Sequence, residues 1–288
     1  MKWLRVAAIV VGGLLAVVLL LIAFVWWNGG RRVAAQYEVA AQPIDVPADS
    51  AAIAEGGRLT RVFACVSCHG ASLEGRVMID GENFARVIAP QLAPGATSAT
   101  SGYTSEDWVR AVRQGIAKDG TAILIMPALE YQHLADSDLG RMFAYVRGLP
   151  EASHELPATE VRTIARMLIG AGLLPIEADK IDHEARPAEP VREVGVEFGR
   201  YLAATCRVCH GPDLRGVADP NFGGPDITSG GLIAGWTYDD FAMALRGGRT
   251  PDGRQLDDER MPWTALGHMN DAELTSVWQY IQAQPAGP

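Results

Sequence analysis

The sequence predicts an all-α chain in which one N-terminal transmembrane helix precedes two tandem helical modules of similar build. Three observations lead there. From Val6 to Trp27 the chain is an unbroken run of apolar residues and glycine. The spelling Cys-x-x-Cys-His occurs twice, at Cys65-Val66-Ser67-Cys68-His69 and at Cys206-Arg207-Val208-Cys209-His210, and uses up all four cysteines. Around each copy the same order of helix starts, glycines and aromatic residues recurs, which is the mark of an internal duplication.

At a rise of about 1.5 Å per residue, the apolar run is roughly 33 Å long and can cross a bilayer core. Trp26 and Trp27 close it as interfacial anchors do. A cleavable signal peptide ending near Val33-Ala34-Ala35 is the weaker reading, because its apolar region normally holds only about 7 to 15 residues. Lys2 and Arg5 before the run nearly balance Arg31 and Arg32 after it, so flanking charge does not decide orientation. Residues 1–28 are read as tip and anchor, with residues 6–27 in the bilayer. Residues 29–50, interrupted by Pro43 and Pro47, are read as an extended tether that lifts the first module off the membrane.

The 288 residues are 48% hydrophobic and 20% charged, an ordinary globular composition with a membrane segment added. A net charge of -9 argues against nucleic acid or an anionic lipid surface as partner of the soluble part, and suits a basic redox partner better. Two cysteine pairs could also mean disulfides, zinc or a thioredoxin-like centre. Zinc ribbons space their pairs about 15 to 20 residues apart, far closer than these two, and a thioredoxin motif needs a βαβ context. With a histidine directly after each pair, the motif reads as c-type haem attachment. Two thiols one helical turn apart form thioethers to the porphyrin, and the imidazole ligates iron.

The first module spans 51–150. Asp49 or Ser50 caps a helix that runs through Ala54, Arg58, Leu59 and Val62 into the motif. Gly70 to Gly75 after the first motif echoes Gly211 to Gly216 after the second. Thr104-Ser105-Glu106-Asp107-Trp108 matches Thr237-Tyr238-Asp239-Asp240-Phe241, a threonine cap followed by acidic residues and an aromatic. Arg113, Gly115 and Gly120 pair with Arg246, Gly248 and Gly253, and then come the only two Met-Pro steps, Met126-Pro127 and Met261-Pro262. Leu139, Phe143, Tyr145 and Val146 match Leu274, Trp278, Tyr280 and Ile281 in a closing amphipathic helix. The second module spans 191–288. Between them, 151–190 is a helical linker in which Thr159 to Leu174 carries Val161, Ile164, Ala165, Leu168 and Ile169 at helical spacing. That face either packs on the haem modules or rests on a membrane or partner.

His69 and His210 fill one axial position at each iron, and the opposite ligand sets the function. A second strong ligand leaves outer-sphere electron transfer, whereas an open position permits peroxide or oxygen chemistry. Met126 and Met261 are the candidates, since thioether sulfur is soft and the two recur at matched loop positions. Met78, Met142, Met167, Met243 and Met269 read as core filler. His133 and His268 also match one another and keep a bis-histidine alternative open, while His154 and His183 read as solvated linker residues. The apolar Ala122 to Ile125, against Gln255 to Asp258 in the second copy, disfavours the extra charge of ferric iron and gives haem one the higher potential.

With the Met-Pro loops and closing helices beside the haem motifs, both modules resemble class I cytochrome c domains. The whole resembles a membrane-anchored dihaem cytochrome c, similar to the cytochrome subunits of bacterial membrane dehydrogenases. Met261-Pro262-Trp263 with Asp271, Leu274 and Tyr280 carries the likeness, over roughly 51–150 and 191–285. The resemblance implies Pro90 and Pro225 behind the ligating imidazoles, and two covalent haem c groups held by Cys65, Cys68, Cys206 and Cys209. It also implies haem attachment outside the cytoplasmic membrane, with the N-terminus inside and the haem domains on the periplasmic side. Those relatives have three haem modules and a different anchor, so no alcohol or sugar substrate is carried over. The function implied is a non-catalytic electron relay between a membrane oxidoreductase and a terminal oxidase or a soluble redox protein. The alternative is a dihaem peroxidase or sulfur-compound oxidase with one accessible iron.

Overall fold

The computed structural model describes residues 1–219 and 223–285. Helix α1 (Lys2–Val33) contains the whole apolar run and ends with Arg31 and Arg32 in its last turn, where cations complement the helix dipole. It is long and apolar enough to cross a membrane. The helix continues past the expected boundary at residue 28 because a partner occupies the space that Gly29 and Gly30 leave free. A Cβ on Gly29 would lie 2.0 Å from the Arg166 carbonyl oxygen, so close packing outweighs the poor helix propensity of glycine.

The stretch after α1 is extended, yet it is bound to the first module along its length rather than standing free as a tether. The Tyr37 amide donates to the Gly120 carbonyl (2.9 Å), Gln36 bridges Thr121, and Ile44 is buried in the core. Arg32 pairs with Asp179 at 2.7 Å, and the Tyr37 hydroxyl donates to the same carboxylate at 2.6 Å.

The first module begins with α2 (Ser50–Val62), capped by Asp49, whose side chain accepts from the Ala52 amide. The expected continuous helix into the motif is broken: Ala64 is left-handed (φ 55), and the motif forms its own turn, α3 (Cys65–His69). Next come a hairpin of β1 (Arg76–Gly81) and β2 (Ala85–Ala89), then α4 (Ser105–Gln114), α5 (Ala128–Tyr131) and α6 (Asp136–Arg147). Both threonine caps form full capping boxes, Thr104 with Asp107 and Thr237 with Asp240. In the linker, β3 (Glu160–Val161) pairs antiparallel with β2, and α7 (Thr163–Gly170) follows. The chain is therefore mostly helical with one three-stranded antiparallel sheet, ordered β1-β2-β3, which a strictly all-α reading omits. Ala85, Val87 and Ala89 alternate inward, and with Val161, Leu174 and α7 they cover the sheet.

The second module repeats the helices as α8 (Val196–Leu202), α9 (Ala204–His210), α10 (Tyr238–Gly247), α11 (Trp263–Leu266) and α12 (Asp271–Gln282). In each module the first helix crosses the last at a glycine. A Cβ on Gly56 would sit 1.9 Å from the Arg141 carbonyl oxygen, and one on Gly199 would sit 1.9 Å from that of Ser276. Trp108 stacks on Phe143, and Phe241 packs on Trp278, both at 5.2 Å between ring centres. The recurring aromatics thus join the helix after the threonine cap to the closing helix.

The modules share one apolar core and meet with approximate two-fold reciprocity. Arg58 of α2 grips Glu273, the third residue of α12, through both guanidinium nitrogens (2.6 and 2.7 Å) and also donates to the His268 carbonyl. Tyr201 of α8 donates to Asp138, the third residue of α6, at 2.6 Å, and its hydroxyl accepts from the Ala135 amide. Both carboxylates are buried, and Asp138 is completed by Arg141 (3.0 Å) and Arg192 (2.7 Å). His133 lies edge-on to Tyr201 and its Nε2 is 3.3 Å from the Tyr201 carbonyl, while Arg207 of α9 pairs with Glu130 of α5 at 2.7 Å.

Two outcomes follow for this interface. Arg58→Ala leaves the Glu273 carboxylate buried without its cation and should cost about 2–4 kcal/mol, read as a lower denaturant midpoint. Burial, aided by Arg207, lowers the His133 pKa to about 4 from 6.5. The unfolded chain therefore takes up a proton below pH 6.5 that the folded ring refuses, and stability is lost as pH falls from 6.5 toward 4. That loss should approach roughly 3 kcal/mol at most. Unfolding midpoints measured across this window should flatten in His133→Gln by the histidine's share; an unchanged slope would contradict the assignment.

Candidate haem-binding centres

Each Cys-x-x-Cys-His run forms a single helical turn, which places its two thiols on one face and presents the histidine at its end. All four cysteines are free and half-buried. Burial pushes the Cys65 thiol up to about 12 and the Cys206 thiol up to about 11, and it raises Cys68 and Cys209 as well. Such thiols are poor thiolate nucleophiles, unlike those of a dithiol redox centre. Among the described residues no group of three His, Cys, Asp or Glu side chains converges as a zinc site would require.

The loop after each motif is built twice to the same pattern. Gly70 and Gly211 turn the chain at positive φ (86° and 80°), where a side chain would be strained. The amide of Gly75 donates to the His69 carbonyl at 2.7 Å, and that of Gly216 to the His210 carbonyl at 2.8 Å. Leu73 and Leu214 are buried at φ 58° and 61°, rare backbone for leucine, and their carbonyls accept from Leu92 and Ile227. Sequence reasoning passed over these leucines. The signal was present, since a leucine stands at the same offset after each histidine.

These bonds draw a proline carbonyl onto each imidazole. His69 Nδ1 lies 2.8 Å from the Pro90 oxygen, and His210 Nδ1 lies 2.7 Å from that of Pro225. A carbonyl only accepts, so Nδ1 carries the proton and the lone pair resides on Nε2, the form in which a histidine binds a metal. Burial lowers both histidine pKa values, against the opposing proline bonds, which favours the neutral ring. In the first module the buried Gln91 amide ties the proline loop to the Ala93 and Ala152 carbonyls (2.9 and 3.0 Å). In the second, Gly224 lies flat against the imidazole, where a Cβ would come within 2.8 Å of the ring.

Met126 and Met261 are half-buried and join the same apolar core as Cys65, Val66 and Cys206. Each stands just before a proline-started helical turn, α5 or α11, and its carbonyl accepts from the amide two residues on. Met142 and Met269 are core filler as expected, with exposures of 1% and 3%. Of the alternative axial histidines, His133 faces Tyr201 between the modules and His268 is on the surface. His154 is exposed and contacts the Glu74 carbonyl, whereas His183 is only half-exposed and bonds the Ala178 carbonyl, a correction to its reading as solvated. Paired free thiols, an Nε2 lone pair fixed by the proline carbonyl and a soft thioether loop form a donor set that fits covalent haem in each module.

Comparison with known proteins agrees with this chemistry. Residues 51–146 match the family model described as cytochrome c oxidase, cbb3-type, subunit III, and residues 197–285 match that described as cytochrome c. The cytochrome c subunit of alcohol dehydrogenase (quinone) from Gluconobacter oxydans is 25% identical over 279 residues, covering 84% of this chain and 56% of the relative. The fructose dehydrogenase cytochrome subunit of Gluconobacter japonicus is 24% identical over 278 residues, covering 88% and 57%. The gluconate 2-dehydrogenase cytochrome c subunit of Pantoea cypripedii is 26% identical over 278 residues, covering 83% and 61%. The chain thus spans a little over half the length of these relatives. It carries two cytochrome c-like regions, each built around one attachment motif, and is similar over most of its own length to the cytochrome c subunits of dehydrogenases.

Proposed function

We propose that the chain is a membrane-tethered dihaem relay that passes single electrons from a dehydrogenase or another membrane oxidoreductase toward a terminal oxidase or a soluble redox protein. The observation that carries this reading is the repetition, at both motifs, of an imidazole whose Nδ1 is bound to a proline carbonyl. Cys65 and Cys68 in the first module, and Cys206 and Cys209 in the second, hold the two haems. His69 with Met126, and His210 with Met261, would hold the iron of each.

Bound haem supplies a one-electron iron couple, and ligation by histidine and methionine raises its potential. The chain's own residues set the conditions for that couple. Pro90 and Pro225 orient the imidazoles and increase their donor strength. Apolar Leu124 and Ile125 precede Met126, whereas exposed Asp257 and Asp258 precede Met261, so the first module holds positive charge less well and its haem has the higher potential. Matching ligand sets in the two modules do not favour a peroxidase, which needs one open iron. The apolar helix α1 serves as the anchor, with its N-terminus in the cytoplasm and both haem domains on the periplasmic side of the inner membrane.

Covalent-haem quantitation on purified protein should find two haems per chain; none or one would reject the reading. Met126→Ala or Met261→Ala should remove the sulfur-to-iron absorption band of one haem. Its potential should fall by an appreciable part of the roughly 0.8 V range that axial ligands command. Redox titration of the unmutated protein should resolve two waves, the upper one being lost in Met126→Ala. Co-purification after mild solubilisation should recover the chain with an oxidoreductase.

A further inference from the structure

The linker helix α7 packs against the end of α1, and the direction of that packing is informative. At Arg166, the neighbours are Gly29 and Gly30. At Gly170, one turn later, a Cβ would lie 2.0 Å from the Val25 carbonyl oxygen, and Asn28 Nδ2 donates to the Gly170 carbonyl at 2.8 Å. Progress along α7 is therefore progress back down α1, into the apolar run that ends at Trp27. The turn 171–173 continues beyond Gly170, closed by Gly172 at φ 74°.

That turn has the composition of a membrane contact. From Met167 to Ile176 there is no charged residue. Ala171, Gly172 and Leu173 are all exposed, Leu173 at 73%. Cations lie beside α1 and α7: the Arg166 guanidinium is 4.2 Å from the Trp26 ring centre and donates to the Trp26 carbonyl, Arg31 lies 5.7 Å from the Trp27 ring centre, and Arg32 donates to the Ile169 carbonyl at 2.7 Å. Tryptophan with arginine marks a headgroup level, and the antiparallel course of α7 carries the uncharged turn toward the apolar run of α1.

We propose that the turn 171–173 enters the outer boundary of the bilayer beside α1 and gives the first module a second point of attachment. The turn follows directly on Gly170, which is seated on Val25 within the apolar run of α1, and that continuity commits the surface to lipid. This proposal rests on the reading of α1 as the membrane anchor, and the test separates the two.

Full-length holo-protein is reconstituted into phosphatidylcholine nanodiscs with a single spin label at Leu173→Cys, Leu14→Cys or Leu232→Cys. Leu14 reports the anchor, and Leu232, half exposed in the second module, reports water. Unchanged haem absorption verifies the fold of each variant. Power saturation should show the label at Leu173 several-fold more accessible to oxygen than to an aqueous nickel chelate, as at Leu14 and opposite to Leu232. A buried label at Leu14 with a water-like label at Leu173 overturns this proposal and leaves the anchor in place. Water-like labels at both positions overturn the anchor reading, and this proposal with it.

Discussion

The burial of two carboxylates governs how the two modules sit together. Asp138 and Glu273 occupy the same position in their closing helices, and each takes a partner from the first helix of the other module, Tyr201 for Asp138 and Arg58 for Glu273. A buried anion is expensive unless it is paired and hydrogen-bonded, so the two modules are committed to one mutual orientation. The pairing chemistry has diverged between the copies: a guanidinium serves one carboxylate, while a phenol with two arginines serves the other. Reciprocity of this kind is what a symmetric pair of identical modules would have had, here retained within one chain.

The same interface brings the two Cys-x-x-Cys-His turns together. The short helix after Met126-Pro127 packs on the second attachment helix through Glu130 and Arg207. Tyr131 in that helix donates to the Phe63 carbonyl at 2.7 Å, at the break just before Cys65. The Thr205 hydroxyl, next to Cys206, is 3.3 Å from the Val62 carbonyl. The Thr205 side chain beside the second motif is thus bonded to backbone just before the first.

Much of this was legible in the sequence because the duplication made each assignment twice. Helix starts at Thr104 and Thr237, the matched Met-Pro steps and the inward aromatics of the closing helices all came from comparing the copies. What the repeat could not show lay where the copies differ. Among the described residues the β1-β2 hairpin has no counterpart in the second module, and its alternation of Ala85, Val87 and Ala89 is too short to stand out in the sequence. Reading 29–50 as a tether ended the helix at residue 28, because the local sequence says nothing of the α7 backbone packed against Gly29 and Gly30. The proline-to-imidazole bonds were reached only through resemblance, since the loops that deliver Pro90 and Pro225 differ in length.

The contact of α1 with the linker has a mechanical consequence. A cytochrome on a slack leash samples a hemisphere of positions and meets partners at many heights and angles. Here the segment after α1 is stitched to the first module, and the helix itself is seated glycine to backbone on α7, so the leash has little free length. Height above the anchor and facing direction become properties of the fold. If α1 anchors the chain as proposed, encounter with a partner in the same sheet of lipid becomes a lateral search in two dimensions at a preset altitude, and a partner of the wrong stature is excluded before any surface chemistry is consulted.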